Sequence, residues 1–300
     1  MIIETVTGPV RLTDVRSALA HEHMFVDFHR PEEPEYLDTD WHEVLGVCAE
    51  SLVVLRRLGV DLIVDYTSIG VGRNVTLLRA LSEGTGVRIV CPTGIYMDRL
   101  PPDLTGLDID GLAAFFVREL DVGIDDTPVR AGFVKLATET GPTPAETPIH
   151  RAGARAAVTT GATVGLHCTR VDALRGVLDT FEEEGLDLAQ LVWAHAQFST
   201  LDDNLEIAHR GVTISLDGLS VDPDDEVLRR IERFFDEGLG DRLVVSTDAS
   251  VIVNPPDRQY ERDNTYVHRK FQAKLVERFG ERTIEQLLRG NVFRAYARRR

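Results

Sequence analysis

Cysteine, lysine and long apolar runs are all scarce in this 300-residue chain. The three cysteines, Cys48, Cys91 and Cys168, are odd in number and far apart, which argues against a disulfide framework. No apolar run approaches the roughly 18 residues that a membrane-spanning helix needs. The opening MIIETVTGPV has neither the basic region nor the apolar region of a secretory signal. A cytoplasmic location is the expectation that follows. Positive charge is also short: the formal net charge is −16, and the run Arg298 to Arg300 is too brief to reverse it. That balance argues against a nucleic-acid partner or an anionic membrane surface, both of which call for basic patches. The expected partner is a small-molecule substrate. Arginine is plentiful, while the lysines are only Lys135, Lys270 and Lys274. A bias of this kind is expected of genomic base composition, and it makes Lys135 conspicuous.

Short apolar runs recur along the chain: Ala18 to Met24, Leu62 to Tyr66, Arg88 to Thr93, Gly132 to Ala137, Thr163 to His167, Leu191 to His195, Val212 to Leu216 and Leu243 to Thr247. They are rich in Val, Ile and Leu and do not alternate strictly, as expected of parallel strands buried on both faces. Helical patterns lie between them, over Trp41 to Leu58, Arg73 to Leu81, Gly111 to Leu120, Ala145 to Thr159, Asp172 to Glu184, Leu201 to His209, Asp224 to Phe235 and Tyr266 to Phe279. Gly59, Gly86, Gly161, Gly185, Gly211 and Gly240 precede strands and read as helix stops. Strand and helix alternating eight times predict a (β/α)8 TIM barrel in one domain over residues 1–300, with a short N-terminal lead-in and a C-terminal cap from Gly290 onward.

Barrels of this kind place their chemistry at the C-terminal ends of the strands. There the sequence puts His21 and His23 on strand one, Lys135 on strand four, His167 on strand five, His195 on strand six and Asp248 after strand eight. His21 and His23, two apart, share a strand face and suit one metal; Glu22 between them points into the barrel wall and is the weaker ligand candidate. Each histidine taken alone also reads as a satisfied residue at a strand end, and Asp248 as a loop cap. Closure of a barrel is what brings ligands from strands so far apart to one point. Lys135 lies in an apolar strand, where an amine needs either an acidic partner or a depressed pKa. A neutral amine can add carbon dioxide, and the resulting carbamate offers one oxygen to each of two metals. His29, His42, His150, His209 and His268 read as surface or cap residues. Cys168 reads as a small apolar neighbour of His167.

The segments Thr5-Val6-Thr7-Gly8-Pro9, Ala20-His21-Glu22-His23-Met24, Pro92-Thr93-Gly94-Ile95-Tyr96, Gly132-Phe133-Val134-Lys135 and Ser246-Thr247-Asp248, with His167 and His195, resemble the phosphotriesterase-related proteins of the amidohydrolase superfamily. The resemblance covers nearly the whole chain. It implies a distorted barrel with a binuclear centre of zinc, cobalt or manganese. His21, His23 and Asp248 would hold the more buried metal and His167 and His195 the more exposed one, bridged by N6-carboxylated Lys135 and a hydroxide. It further implies a homodimer and hydrolysis of lactones, other carboxylic esters or organophosphate triesters by hydroxide attack, with Asp248 taking the proton. Tyr96 resembles the tyrosine that lactonases set beside the exposed metal. It either donates a hydrogen bond to the developing oxyanion or leaving oxygen, or packs as a rim aromatic.

Two departures count against the usual acyl-homoserine lactone substrate. Lactonases carry an arginine just after strand seven, whereas Leu216-Asp217-Gly218-Leu219 is followed closely by none. The segment Ala249 to Thr265 reads as a substrate-facing loop or else an inert connection; Arg258, Tyr260 and Arg262 read as solvated in the favoured reading and as binding an anionic group of the substrate in the other. The leading expectation is a lactone or related carboxylic ester hydrolase, and the alternative is a phosphotriester hydrolase at the same centre. A mononuclear deaminase ranks lower, because Cys168-Thr169-Arg170 follows His167 where a catalytic glutamate is wanted. A non-catalytic metal-binding barrel ranks lower too, because all six ligands are retained.

Overall fold

The structure is a computed structural model that describes residues 1–259 and 261–299, so Tyr260 lies outside the described residues. An antiparallel pair, Ile2–Ile3 with Val10–Arg11, leads in. The barrel follows, as β1 (Ser17–Asp27), β2 (Val60–Asp65), β3 (Arg88–Val90, resuming at Pro92–Thr93), β4 (Phe133–Ala137), β5 (Val164–His167), β6 (Leu191–Ala194), β7 (Thr213–Leu216) and β8 (Leu243–Val245). All eight expected strands are present, and their pairing is parallel throughout.

The barrel is built from two arcs. Strand β3 is where they meet: Val90 pairs with Val64 of β2, while Pro92 pairs with Phe133 of β4. The expected continuous strand is therefore broken at Cys91, beside a proline that has no N–H to give to a ladder. The other seam lies between β8 and β1. There Asp248 N donates to the carbonyl of His21 at 3.1 Å and His21 N donates to Ser246 Oγ at 3.0 Å.

The outer helices are α1 (Trp41–Arg57), α2 (Val75–Thr85), α3 (Ile109–Asp121), α4 (Thr147–Thr160), α5 (Val171–Glu183), α6 (Leu201–His209), α7 (Asp224–Asp236) and α8 (Gln272–Phe279). Their starts follow capping chemistry. Asp40 accepts from His42 N and Glu43 N, and Asn74 accepts from Leu77 N. Helix α2 thus begins after Arg73, whose guanidinium turns inward to Glu119 at 2.5 and 2.7 Å. Helix α7 turns out at Gly238, with φ 72°, rather than at the expected Gly240. The turn before α8, Val267–Phe271, is a π-helix, so the last expected helix is not uniformly α.

Two apolar layers result. Leu52, Leu55, Phe116, Phe181 and Phe234 fill the space between strands and helices. Ala18, Ala20, Leu62, Val64, Tyr66, Phe133 and Val192 fill the barrel itself, which Val292, Phe293 and Tyr296 of the C-terminal helix plug. His150, expected at the surface or in a cap, is buried instead, and His268 is half-buried. His150 is 1 % exposed in α4, and His268 accepts from or donates to Ser17 Oγ at 2.7 Å. The segment after β8 differs as well. It is not loop throughout: Ser250–Asn254 forms β9, which runs parallel to the long end of β1 with Ser250 opposite His23 and Asn254 opposite Asp27. Among the described residues no helix is long and apolar enough to cross a membrane.

Candidate metal centre

Strand β1 delivers His21 and His23 to one side. Their Nε2 atoms lie 3.3 Å apart, and Asp248 Oδ1 lies 3.1 Å from the first and 3.2 Å from the second. Ligand bonds of about 2.0–2.1 Å in a tetrahedral site leave its donor atoms about 3.3 Å apart. The three atoms have that spacing before any ion is added. Asp248 reaches its place through a left-handed backbone, φ 51°.

Glu22 explains how that turn is held. It points away from the histidines, as the alternation of a strand requires. Its carboxylate accepts from Ser246 Oγ at 2.8 Å, Thr247 N at 3.0 Å, Thr247 Oγ1 at 2.8 Å and Ala249 N at 3.0 Å. The residues on both sides of Asp248 are thereby tied to β1.

A second pair of donors faces the first. His195, also left-handed at φ 66°, presents Nε2 to His167 Nδ1 at 2.7 Å. Lys135, 1 % exposed, extends from β4 into the same cavity, with Nζ 4.8 Å from the centre of the Tyr66 ring and 3.3 Å from the carbonyl of Leu136. Tyr66 also stacks on His21, with ring centres 3.8 Å apart. Tyr96 Oη stands 3.5 Å from His167 Nε2. All six expected ligand residues and Tyr96 line one cavity of about 230 Å³, whose apolar wall is Val26, Phe28 and Val71.

The outward ring nitrogens of the four histidines are each taken. His21 Nδ1 and His195 Nδ1 meet the two oxygens of Asp217 at 2.9 and 2.8 Å, His23 Nδ1 meets Thr67 Oγ1 at 2.9 Å, and His167 Nε2 meets Glu139 Oε1 at 2.6 Å. Partners of this kind fix tautomer and ring orientation in metal sites and leave the other nitrogen free to bind an ion. His21, His195 and Asp217 also lie close enough to hold a metal. Asp217 faces the Nδ1 atoms, however, and accepts from His195 N, Ser215 Oγ and Gln197 Nε2 besides, which makes it a support for the ligands.

Electrostatics favour cations here. Burial works against a charge on Asp248, but His21 and His195 outweigh it and hold the carboxyl well below the usual range. Asp217 is held down by the same two imidazoles against its own burial. Burial likewise opposes a proton on His21, yet Asp248 and Asp217 raise it to about 9. Burial brings Lys135 down to about 7, with Asp248 and Asp217 restoring only part of the loss. An amine that loses its proton near neutrality suits carbamate formation. The donor set therefore fits two divalent ions, one among His21, His23 and Asp248 and one at His167 and His195, with Lys135 in the same cavity.

Nothing in the sequence marks Thr67, Tyr66 or Glu139, although each lies within four residues of a strand end. Asp217 stands out there only for the arginine that does not follow it, and Arg262 is expected in solvent. Arg262 is instead 15 % exposed; Nη1 donates to the carbonyls of Asp217 at 3.0 Å and Thr247 at 2.9 Å and pairs with Asp248 Oδ2 at 3.2 Å. An arginine does reach the end of β7, and it comes from the loop after β9. Arg258 is exposed as expected, 5.7 Å over the ring of Phe28.

The sequence profile of the phosphotriesterase family matches residues 1–296. The phosphotriesterase homology protein of Mycobacterium tuberculosis is 33 % identical over 264 residues, covering 82 % of this chain and 80 % of its own length. The aryldialkylphosphatase of Saccharolobus solfataricus is 29 % identical over 248 residues, 78 % of this chain and 77 % of its own. A solved structure described as organophosphate hydrolysis activity engineered from a weak promiscuous lactonase superposes with a TM-score of 0.86 at 26 % identity, covering 99 % of this chain and 100 % of that one.

Proposed function

The chain belongs to the phosphotriesterase family, and from that premise we propose that it hydrolyses a lactone or a related carboxylic ester at a binuclear centre. The observation that carries the reading is the convergence of four imidazoles, each with its outward nitrogen partnered, on Asp248 and a buried Lys135 in one cavity. His21, His23 and Asp248 would hold one divalent ion and His167 and His195 the other, zinc being favoured over cobalt or manganese, with Lys135 as the bridging carbamate. Bound there, the ions would supply hydroxide near neutral pH and polarise the bond under attack.

The chain's own groups do the rest. Asp248, the shared anchor of His21 and His23, takes the nucleophile's proton. The neighbouring His21 and His195 hold its carboxyl well below the usual range, so it is ionised at neutral pH. Tyr96, beside His167 at the rim, donates a hydrogen bond to the oxygen on which charge develops. Val26, Phe28 and Val71 keep water from one side of the cavity and favour an apolar substrate portion.

The kinship with the Saccharolobus solfataricus aryldialkylphosphatase favours phosphotriesters as the second reading. Metal-reconstituted protein assayed on a panel of lactones, aryl esters and aryl phosphotriesters separates the two. The proposal expects the highest kcat/KM on a lactone or ester. A phosphotriester at the head of the panel transfers the assignment to the second reading.

A further inference from the structure

We infer that Glu139 is a positioning residue that sets metal affinity at the His167–His195 position independently of the His21–His23–Asp248 position. The inference rests on the binuclear reading above and concerns how its two positions differ.

The four imidazoles are not supported alike. His21 and His195 share Asp217, whose side chain is fully buried, and His23 uses Thr67, which is 2 % exposed. His167 leans on Glu139, whose side chain is 42 % exposed and lies in the loop between β4 and α4. Glu139 is clamped at both oxygens: Oε1 takes His167 Nε2 at 2.6 Å and Oε2 takes Thr169 Oγ1 at 2.6 Å. The ring nitrogen bonded to Glu139 carries the proton. That leaves the lone pair of Nδ1 directed toward His195 Nε2, 2.7 Å away. Without the carboxylate the imidazole is free to change tautomer and to rotate, and water at the open rim competes for Nε2. No such freedom reaches His21 or His23, whose buried supports lie just past the ends of β7 and β2.

The test is calorimetric titration of metal-free protein with Co2+, comparing wild type with Glu139→Ala, Glu139→Gln and Thr169→Val. His167→Ala identifies which binding event belongs to the His167–His195 position. In Glu139→Ala that event is expected to weaken by about 10- to 100-fold, the range seen when a metal ligand loses its supporting partner. Glu139→Gln, which keeps an acceptor but no charge, falls between it and wild type. Thr169→Val, which frees only one carboxylate oxygen, shows a smaller change in the same event and serves as the measure should Glu139→Ala fold poorly. The other event stays at its wild-type affinity. Equal weakening of both events, or of neither, overturns the inference and leaves the binuclear reading standing. A wild-type protein without two binding events overturns the binuclear reading and the inference with it.

Discussion

Asp217 stands between His21 and His195 and binds the Nδ1 of each, at 2.9 and 2.8 Å, so a single carboxylate supports an imidazole of each proposed metal position. Asn at this place removes the charge that holds both imidazoles and turns a donor toward one of them. Asp217→Asn is therefore expected to lower Co2+ affinity at both positions together, by about 10- to 100-fold each. The same titration reads it. Loss at only one position would show that the carboxylate does not join the two.

How much of this was legible beforehand follows from where each residue sits. That the six candidate ligand residues share one cavity was readable because chemistry in a barrel gathers at strand ends, and the apolar runs mark those ends. Their outer partners were harder. Thr67 and Glu139 also follow strands, but a lone threonine or glutamate there looks like any loop residue until an imidazole is found beside it. Arg262 was not legible at all, being 45 residues from Asp217 and 15 from Thr247, the carbonyls it joins. Nor was the strand Ser250–Asn254 readable, since it exists only because β1 extends past the barrel rim to Asp27 and offers it an edge. His150 was misjudged because a helix that packs on both a strand and its neighbouring helix buries more than one face.

Lys135 tests the carbamate directly. Its nitrogen attacks the carbon of carbon dioxide, a C–N bond forms, and one N–H proton leaves to solvent. Only the neutral amine reacts, and burial brings the Lys135 pKa from 10.5 to about 7. Protein stripped of metal and exposed to 13C-bicarbonate should show a protein-bound carbamate signal at pH 8 that fades as the pH falls below 7. Lys135→Ala should lack the signal and retain less than about a thousandth of wild-type kcat, the scale of loss when a group central to transition-state stabilisation is removed. Wild-type turnover in that variant would remove Lys135 from the mechanism.

Arg262 ties the loop after β9 to the site, through two backbone carbonyls and Asp248 Oδ2. Its removal should leave Asp248 bound to the turn that Glu22 holds but less well aimed. Misplacement of a reacting group by about 1 Å costs roughly 100-fold. Arg262→Ala is thus expected to lower kcat by about 10- to 100-fold. All three contacts are made by the one nitrogen Nη1, so Arg262→Lys, which keeps a charged donor on a stem one bond shorter, should recover only part of the loss. Full recovery by lysine would mean that charge alone matters. Steady-state kinetics on the best substrate of the panel decides.

His150 carries the last prediction, which concerns stability and not turnover. It is 1 % exposed in α4; Nε2 bonds the carbonyl of Ala137 at 3.2 Å, and burial pushes its pKa from 6.5 down to about 4. In the folded chain the ring therefore stays neutral from neutrality down to about pH 4, while in the unfolded chain it takes up a proton below about pH 6.5. The unfolded state binds more protons across that interval, so acidification favours unfolding there; above it, neither state is charged and the contribution vanishes. The full loss amounts to roughly 3 kcal/mol by pH 4, at 1.36 kcal/mol per pKa unit. Other histidines add to the wild-type slope, so the informative quantity is a difference. Denaturant midpoints of wild type and His150→Gln, measured between pH 7.5 and about 4.5, should converge as the pH falls, because glutamine keeps a donor for Ala137 and has nothing to protonate. Parallel curves would show that His150 is protonated in the folded protein after all.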